Sequence, residues 1–197
     1  MNALIIYAHP NPASFNAGIK ETLVSELTTC GHDVHVRDLY ELNFNPVLSS
    51  LDIVSMNNGQ TPEDIAAEQR EIEWADILFV VYPTWWISMP AILKGYIDRV
   101  FSHGFAFKYG ENGAEGLLKG KLGFVVQTTG SPEQMLAAAH LVESMETAVQ
   151  YGTLGFCGIQ TLAHKIFFEV PASTDEQRAA MLNELKQLIA EKLPVNA

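Results

Sequence analysis

The chain is poor in basic residues, cysteine and long apolar runs, and each shortage removes a class of function. Lys and Arg together number 12 against 23 Asp and Glu, a formal net charge of −11 at pH 7. No Lys/Arg stripe is left to displace counterions from phosphates, so no nucleic-acid partner is expected. Cys30 and Cys157 are the only cysteines. Two widely separated thiols, neither in an activating motif, point to reduced core residues rather than a disulfide framework, and a cytoplasmic location follows. The longest apolar run, Ile77-Leu78-Phe79-Val80-Val81-Tyr82, is far too short to span a bilayer. Met1-Asn2-Ala3 enters an apolar run directly, with no basic start or small-residue cleavage site, so no secretory signal is expected. His32, His35, His103 and His164 lack metal-ligand spacing, and no metal is assigned.

What remains is ordinary globular material. Apolar residues make up 48% of 197, enough to bury one α/β core, and no repeat or composition break divides the chain. A single domain over 1–197 is expected. Leu4 to Ala8 reads as a strand buried on both faces, followed by a helix carrying Ile19, Leu23 and Leu27 that stops near Gly31. Asp33 to Asp38 alternates as a more peripheral strand. Asn43 to Gly59 is expected to be a long irregular loop, and Thr61-Pro62-Glu63-Asp64 to cap a helix running to about Trp74.

Ile77 to Tyr82 follows as a central strand, and Pro90 opens the next helix. Phe101 to Lys119 reads as a surface excursion. A strand over Leu122 to Gln127, a helix from Glu133 to Tyr151 and a fifth strand from Phe156 to Phe168 complete the alternation. Thr174-Asp175-Glu176-Gln177 forms a capping-box pattern for the last helix.

Five strands alternating with five helices imply a parallel sheet covered on both faces and doubly wound. In such sheets ligands bind at the carboxyl ends of the strands, where the winding reverses. Three loops leave those ends: His9 to Asn16, Pro83 to Met89, and Thr128 to Pro132. The first contains no glycine, which disfavours a dinucleotide-binding turn and leaves a three-layer flavodoxin-like sheet of order 2-1-3-4-5. No Walker glycine loop is present either.

The first loop offers His9, the Ser14 hydroxyl and the amides from Ser14 to Ala17 at a helix start. That set can hold a phosphate without a basic field, or it can simply cap the helix; the geometry is the same. In the second loop Trp85 and Trp86 are adjacent, suited to stack on a flat aromatic cofactor or to plug the core or a subunit interface. Thr128, Thr129 and the amides around Gly130 can hydrogen-bond a ring edge and favour negative charge on it.

These residues resemble the NAD(P)H:quinone oxidoreductases of the DT-diaphorase type, which share the flavodoxin-like fold. The likeness runs through Leu4-Ile5-Ile6 with His9, Ser14-Phe15-Asn16, Asp38-Leu39-Tyr40 and Asn43-Phe44-Asn45-Pro46. It continues through Pro83 with Trp86, Pro90-Ala91-Ile92-Leu93-Lys94-Gly95, Arg99-Val100-Phe101, Thr128-Thr129-Gly130 and Phe156-Cys157-Gly158. The resemblance implies a flavin, FAD by the match at Ser14-Phe15-Asn16, with FMN the alternative. Its phosphate side would meet His9, Ser14, Phe15 and Asn16. Its ring would lie on Pro83, Thr84, Trp85, Trp86 and Ile87, with Thr128, Thr129 and Gly130 at the pyrimidine edge. NADH or NADPH would donate hydride and a quinone would accept it in ping-pong cycles, in a homodimer whose sites are completed across the interface.

Two departures stand out. The tyrosine and histidine that animal members carry after this third loop have no counterpart in Ser131-Pro132-Glu133-Gln134-Met135-Leu136, so no catalytic side chain is assigned. Trp85 also stands where those members have glutamine. Other relatives of the family are ancillary flavoproteins of potassium efflux systems, and a flavodoxin-type electron carrier is a third reading.

Overall fold

Leu4, Ile5 and Ile6 lie fully buried at the centre of β1 (Asn2–Tyr7), the first of several apolar runs that form strands covered from both sides. A computed structural model describes residues 1–111 and 113–193; Asn112 and residues 194–197, part of the domain expected over 1–197, lie outside the described residues. After β1 come α1 (Phe15–Thr29), β2 (Asp33–Asp38), α2 (Ser50–Asn57), α3 (Glu63–Trp74), β3 (Ile77–Pro83) and α4 (Ala91–Val100). A hairpin of β4 (Phe107–Gly110) and β5 (Gly113–Gly116) follows. The chain ends with β6 (Leu122–Thr128), α5 (Glu133–Ala138), α6 (Leu141–Val149), β7 (Gln160–Phe167) and α7 (Asp175–Lys192).

The main sheet has five strands in the order β2-β1-β3-β6-β7, all parallel, which is the order expected from the sequence. Alternation along each strand divides the core in two. Leu4, Ile6, Leu78, Val80 and Val125 face Ile72 of α3, Tyr96 of α4 and Val149 of α6. Ile5, Phe79, Phe124 and Val126 face Ile19, Leu23 and Leu27 of α1 and Leu185 and Ile189 of α7. Each such side chain, taken fully out of water, contributes about 1.5–3 kcal/mol before chain entropy is set against it. Sequence order reverses between β1 and β3, so the carboxyl ends of β1, β3 and β6 open onto one crevice.

Several boundaries differ from expectation. The loop expected over Asn43 to Gly59 contains α2, started by a reciprocal capping box between Ser49 and Asp52. The only residue α2 buries is Asp52, so an apolar period could not reveal it. Thr61 does not cap α3. Pro62 occupies the cap position with no side-chain bond, and Glu63 and Asp64 complement the helix dipole instead. The surface excursion holds the β4–β5 hairpin, which docks so closely that a Cβ on Gly116 would lie 2.3 Å from the Cys157 carbonyl carbon.

The helix expected from Glu133 to Tyr151 breaks at His140, which adopts a left-handed φ of 55°. Histidine is among the residues that tolerate this region. A π-turn over Gln150–Gly155 then delays the fifth strand to Gln160. The Thr174–Gln177 capping box forms as expected. Among the described residues no helix is long and apolar enough to cross a membrane, and no group of His, Cys, Asp and Glu could hold a metal ion.

Candidate active site

The three loops meet at a cleft of about 940 Å³ lined by His9, Ser14, Phe15, Asn16, Pro83, Thr84, Trp85, Thr128, Thr129 and Gly130. Trp86 and Ile87, also expected there, do not line it.

In the first loop Ser14 is the α1 cap: its hydroxyl accepts from the Ala17 amide at 3.1 Å and stands 3.3 Å from the Tyr7 hydroxyl. The run of free amides is shorter than expected. Ser14 N–H donates to Asn11 O and Ala17 N–H to Ser14, which leaves Phe15 and Asn16 with the unengaged amides of that turn. Both sit at the positive end of a helix, where an anion is favoured. His9 Nδ1 accepts from the Asn11 amide at 3.0 Å, and burial lowers its pKa. Nδ1 also lies 3.2 Å from the Asn11 carbonyl oxygen, so the same ring atom can accept from or donate to that residue. Phe15 stacks edge-on against Phe167, with ring centroids 5.9 Å apart.

Asn16 closes the floor. It is 3% exposed, and its amide nitrogen donates to the Thr128 hydroxyl at 2.8 Å. Its Oδ1 is buried with no partner. A buried acceptor without a donor costs about 1–3 kcal/mol, so the floor is matched to a ligand that brings a hydroxyl or N–H. The ribityl chain of a flavin carries such hydroxyls, and the residues present fit that group.

The second loop turns tightly. Trp85 N–H donates to Ser88 O at 2.9 Å and Ser88 N–H to Trp85 O at 3.1 Å, closing a two-residue turn. Trp86 and Ile87 fill it at φ of 53° and 58°. This is the mirror-image turn that normally selects Asn-Gly. A β-branched residue there is strained, by about 1–3 kcal/mol for each such residue. Trp85 lines the cleft with its ring centroid 6.3 Å from that of His9. Trp86 is 99% exposed beside the mouth, and Ile87 packs on the Leu136, Met145 and Ile166 cluster. The two tryptophans thus part company.

In the third loop Thr129 N–H donates to Phe167 O at 2.8 Å, and the Thr129 hydroxyl accepts from Ser131 N–H at 3.2 Å. Of the amides expected around Gly130, its own is the one without a protein partner. A Cβ on Gly130 would meet Pro171 at an ordinary 3.6 Å, so nothing crowds that position.

Sequence reading missed Arg178. It reaches the cleft from α7, donates to Val170 O at 3.4 Å and pairs with Asp175 at 3.0 Å. Its spacing from Asp175 looks like a solvated helix pair, and no local signal tied it to the first loop. It gives the cleft the cationic side chain that the acidic composition hid.

A doubly wound parallel sheet with one crevice at its reversal point is the framework of nucleotide-cofactor proteins. The chain belongs to the family described as having a flavodoxin-like fold, whose model matches residues 1–189. An uncharacterized NAD(P)H oxidoreductase of Haemophilus influenzae is 40% identical over 194 residues, covering 98% of this chain and 96% of that protein. The mouse ribosyldihydronicotinamide dehydrogenase [quinone] is 38% identical over 199 residues, covering 91% and 86%. The solved NAD(P)H:quinone oxidoreductase of Methanothermobacter marburgensis superposes with a TM-score of 0.86 at 29% identity, covering 98% of this chain and 96% of that one. The likeness read from the sequence motifs and the likeness found by comparison are the same.

Proposed function

We propose that this chain is a flavin-dependent oxidoreductase that takes hydride from NADH or NADPH and passes two electrons to a quinone-type acceptor. The observation that carries the reading is the cleft itself: three loops, one buried acceptor lacking a donor, two unengaged helix-start amides and an aromatic wall. The Haemophilus and Methanothermobacter relatives carry NAD(P)H in their names and the mouse and Methanothermobacter ones a quinone, while the mouse enzyme's name gives ribosyldihydronicotinamide as its donor.

A bound flavin would supply the redox chemistry, as a two-electron carrier between donor and acceptor. The chain's part is to hold and orient. Phe15 and Asn16 amides, with the His9 ring beside them, would bind a phosphate, and Asn16 Oδ1 would accept from the ribityl chain. Trp85 and Pro83 would back the ring. The Gly130 amide would donate to its pyrimidine edge, where negative charge on reduction favours a donor.

FAD is proposed over FMN. The cleft is at the upper end of the usual ligand-pocket range, and Arg178 offers a second anion contact across it. A homodimer is proposed too. Val47, Leu51 and Val54 are 65%, 75% and 56% exposed on and before α2, an apolar patch that a second copy would cover.

The test is to heat-release the chromophore of the purified protein, weigh it, and follow NAD(P)H oxidation with a simple benzoquinone, with light scattering for mass. A yellow protein releasing FAD, oxidising NAD(P)H only when quinone is supplied, is expected. A protein that stays colourless with both FAD and FMN, or a loaded one inert to every quinone, ends the reading.

A further inference from the structure

Behind the cleft the sheet carries polar side chains where a doubly covered parallel sheet ordinarily carries apolar ones. Gln127 on β6 has no exposed surface. Burying a carboxamide without partners costs several kcal/mol, and here every group is engaged. Its Oε1 accepts from the Tyr82 hydroxyl at 3.0 Å and lies 3.0 Å from His164 Nε2. Its Nε2 donates to Thr84 Oγ1 at 2.6 Å and lies 3.0 Å from Met145 Sδ. On the far side His164 Nδ1 is 3.4 Å from Gln150 Nε2. The row runs across three neighbouring strands, from β7 through β6 to the end of β3.

The orientation of the Gln127 and Gln150 amides implies where the hydrogens sit. Gln150 Nε2 can only donate, so His164 Nδ1 accepts and Nε2 carries the hydrogen. Gln127 Oε1 then receives two donors, and its amide group is turned toward Thr84 and the thioether. Thr84 Oγ1 already accepts from Gln127, so its own hydrogen must point elsewhere. Among the described residues it meets no protein acceptor, and Thr84 lines the cleft between Pro83 and Trp85.

We propose that His164, Gln127 and Tyr82 form a positioning relay that holds the Thr84 hydroxyl as a hydrogen-bond donor into the cleft, toward an electron-rich edge of the bound ring. The proposal rests on the flavin reading above for the identity of that ring. No proton is transferred. The relay sets a rotor, so that a donor is already aimed where negative charge builds on reduction and need not reorganise. Burial pushes His164 down to about 4, so the relay is uncharged near neutrality and works through orientation alone. Were Gln127 turned the other way, Thr84 would donate inward to Oε1 and His164 would carry its hydrogen on Nδ1.

The two arrangements differ in the free protein, which makes the relay testable without a cofactor. In protein labelled with nitrogen-15 histidine at pH 7, the Nε2–H tautomer is expected for His164; the Nδ1–H tautomer overturns the proposal. In the flavin-loaded protein the readout is the midpoint potential of the bound flavin. Thr84→Val is expected to weaken binding of reduced relative to oxidised flavin by about tenfold, a drop of about 30 mV for a two-electron couple. Gln127→Leu should move it the same way and Thr84→Ser should restore it, with His164→Phe giving the same readout where Gln127→Leu does not fold. An unchanged potential in Thr84→Val, or a shift there that Gln127→Leu and His164→Phe do not share, overturns the relay. A colourless protein that nevertheless shows the Nε2–H tautomer overturns the flavin reading, and with it the ligand named here.

Discussion

The Asn16 amide nitrogen donates to the Thr128 hydroxyl at 2.8 Å, tying the first turn of α1 to the end of β6 across the floor of the cleft. The same side chain leaves Oδ1 buried without a partner. Loss of Asn16 therefore has two opposed effects on the free protein: one hydrogen bond goes, and one unsatisfied acceptor goes with it. Asn16→Leu is expected to leave the stability of the flavin-free protein within about 1 kcal/mol of the parent. Flavin affinity should fall by about tenfold or more, since a donor on the ligand loses its acceptor. Urea unfolding of the free protein and fluorescence titration with flavin measure the two halves separately. Equal losses in both would make Asn16 a structural residue only.

Gly95 of α4 carries the segment leading to α2. A Cβ there would lie 2.1 Å from the Pro46 carbonyl oxygen and 2.6 Å from its Cα, which are backbone atoms that cannot swing aside. The neighbouring Arg99, 3% exposed, holds the same segment through Asn45 O at 2.9 Å, α2 through Asp52 and α3 through Asp64. Arg99 keeps the Asp52 carboxyl below its usual range. Gly95→Ala should push the segment off α4 and strain these bonds. A loss of about 2–3 kcal/mol is expected, or about 5–10 °C in Tm for a chain of this size. Calorimetry decides it, and an unchanged Tm would mean that the segment shifts freely.

How much of this was legible follows from which physical signal each part emits. Buried parallel strands such as Ile77–Pro83 announce themselves as unbroken apolar runs, and their alternation with amphipathic helices forces the winding. The winding then brings together Ser14, Thr84 and Thr128, residues far apart in sequence, before any contact is known. The signal fails where an element is held by polarity. Asp52 anchors α2 through Arg99, and Arg178 enters the cleft from a helix whose spacing suggests only a solvated pair. It fails again where backbone overrides composition: Trp86 sits in a left-handed turn that its neighbours in sequence do not demand.

His164 makes stability depend on pH in a predictable direction. Its ordinary value of 6.5 falls to about 4 in the fold because burial disfavours the charged ring. The unfolded chain therefore binds more protons between those values, and stability rises with pH through that window. Between pH 7 and pH 5 the group should account for about 2 kcal/mol of lost stability. Burial lowers His9 and His32 as well, so the test is a difference. Urea midpoints at both pH values are compared for the parent and His164→Phe. The variant should show a shallower fall, and parallel curves would mean that His164 titrates normally.

Trp86 offers the sharpest separation of stability from function. Its side chain is 99% exposed, so truncating it forfeits no core packing, while its φ of 53° is strained for a tryptophan. Asparagine is the residue this turn prefers at that position. Trp86→Asn should therefore stabilise the fold by about 1 kcal/mol, or about 2–4 °C in Tm. A strain of this kind, kept beside the mouth of a cleft, is best explained by use, and the use available to an exposed indole is stacking on a planar acceptor. The substitution should lower kcat/KM for a quinone by about fivefold to tenfold, the scale of one aromatic stacking contact. Flavin affinity should stay unchanged, because Trp86 lies outside the cleft lining. A variant that gains stability and keeps its full rate with quinones would leave Trp86 without a role in acceptor binding and move attention to Trp85.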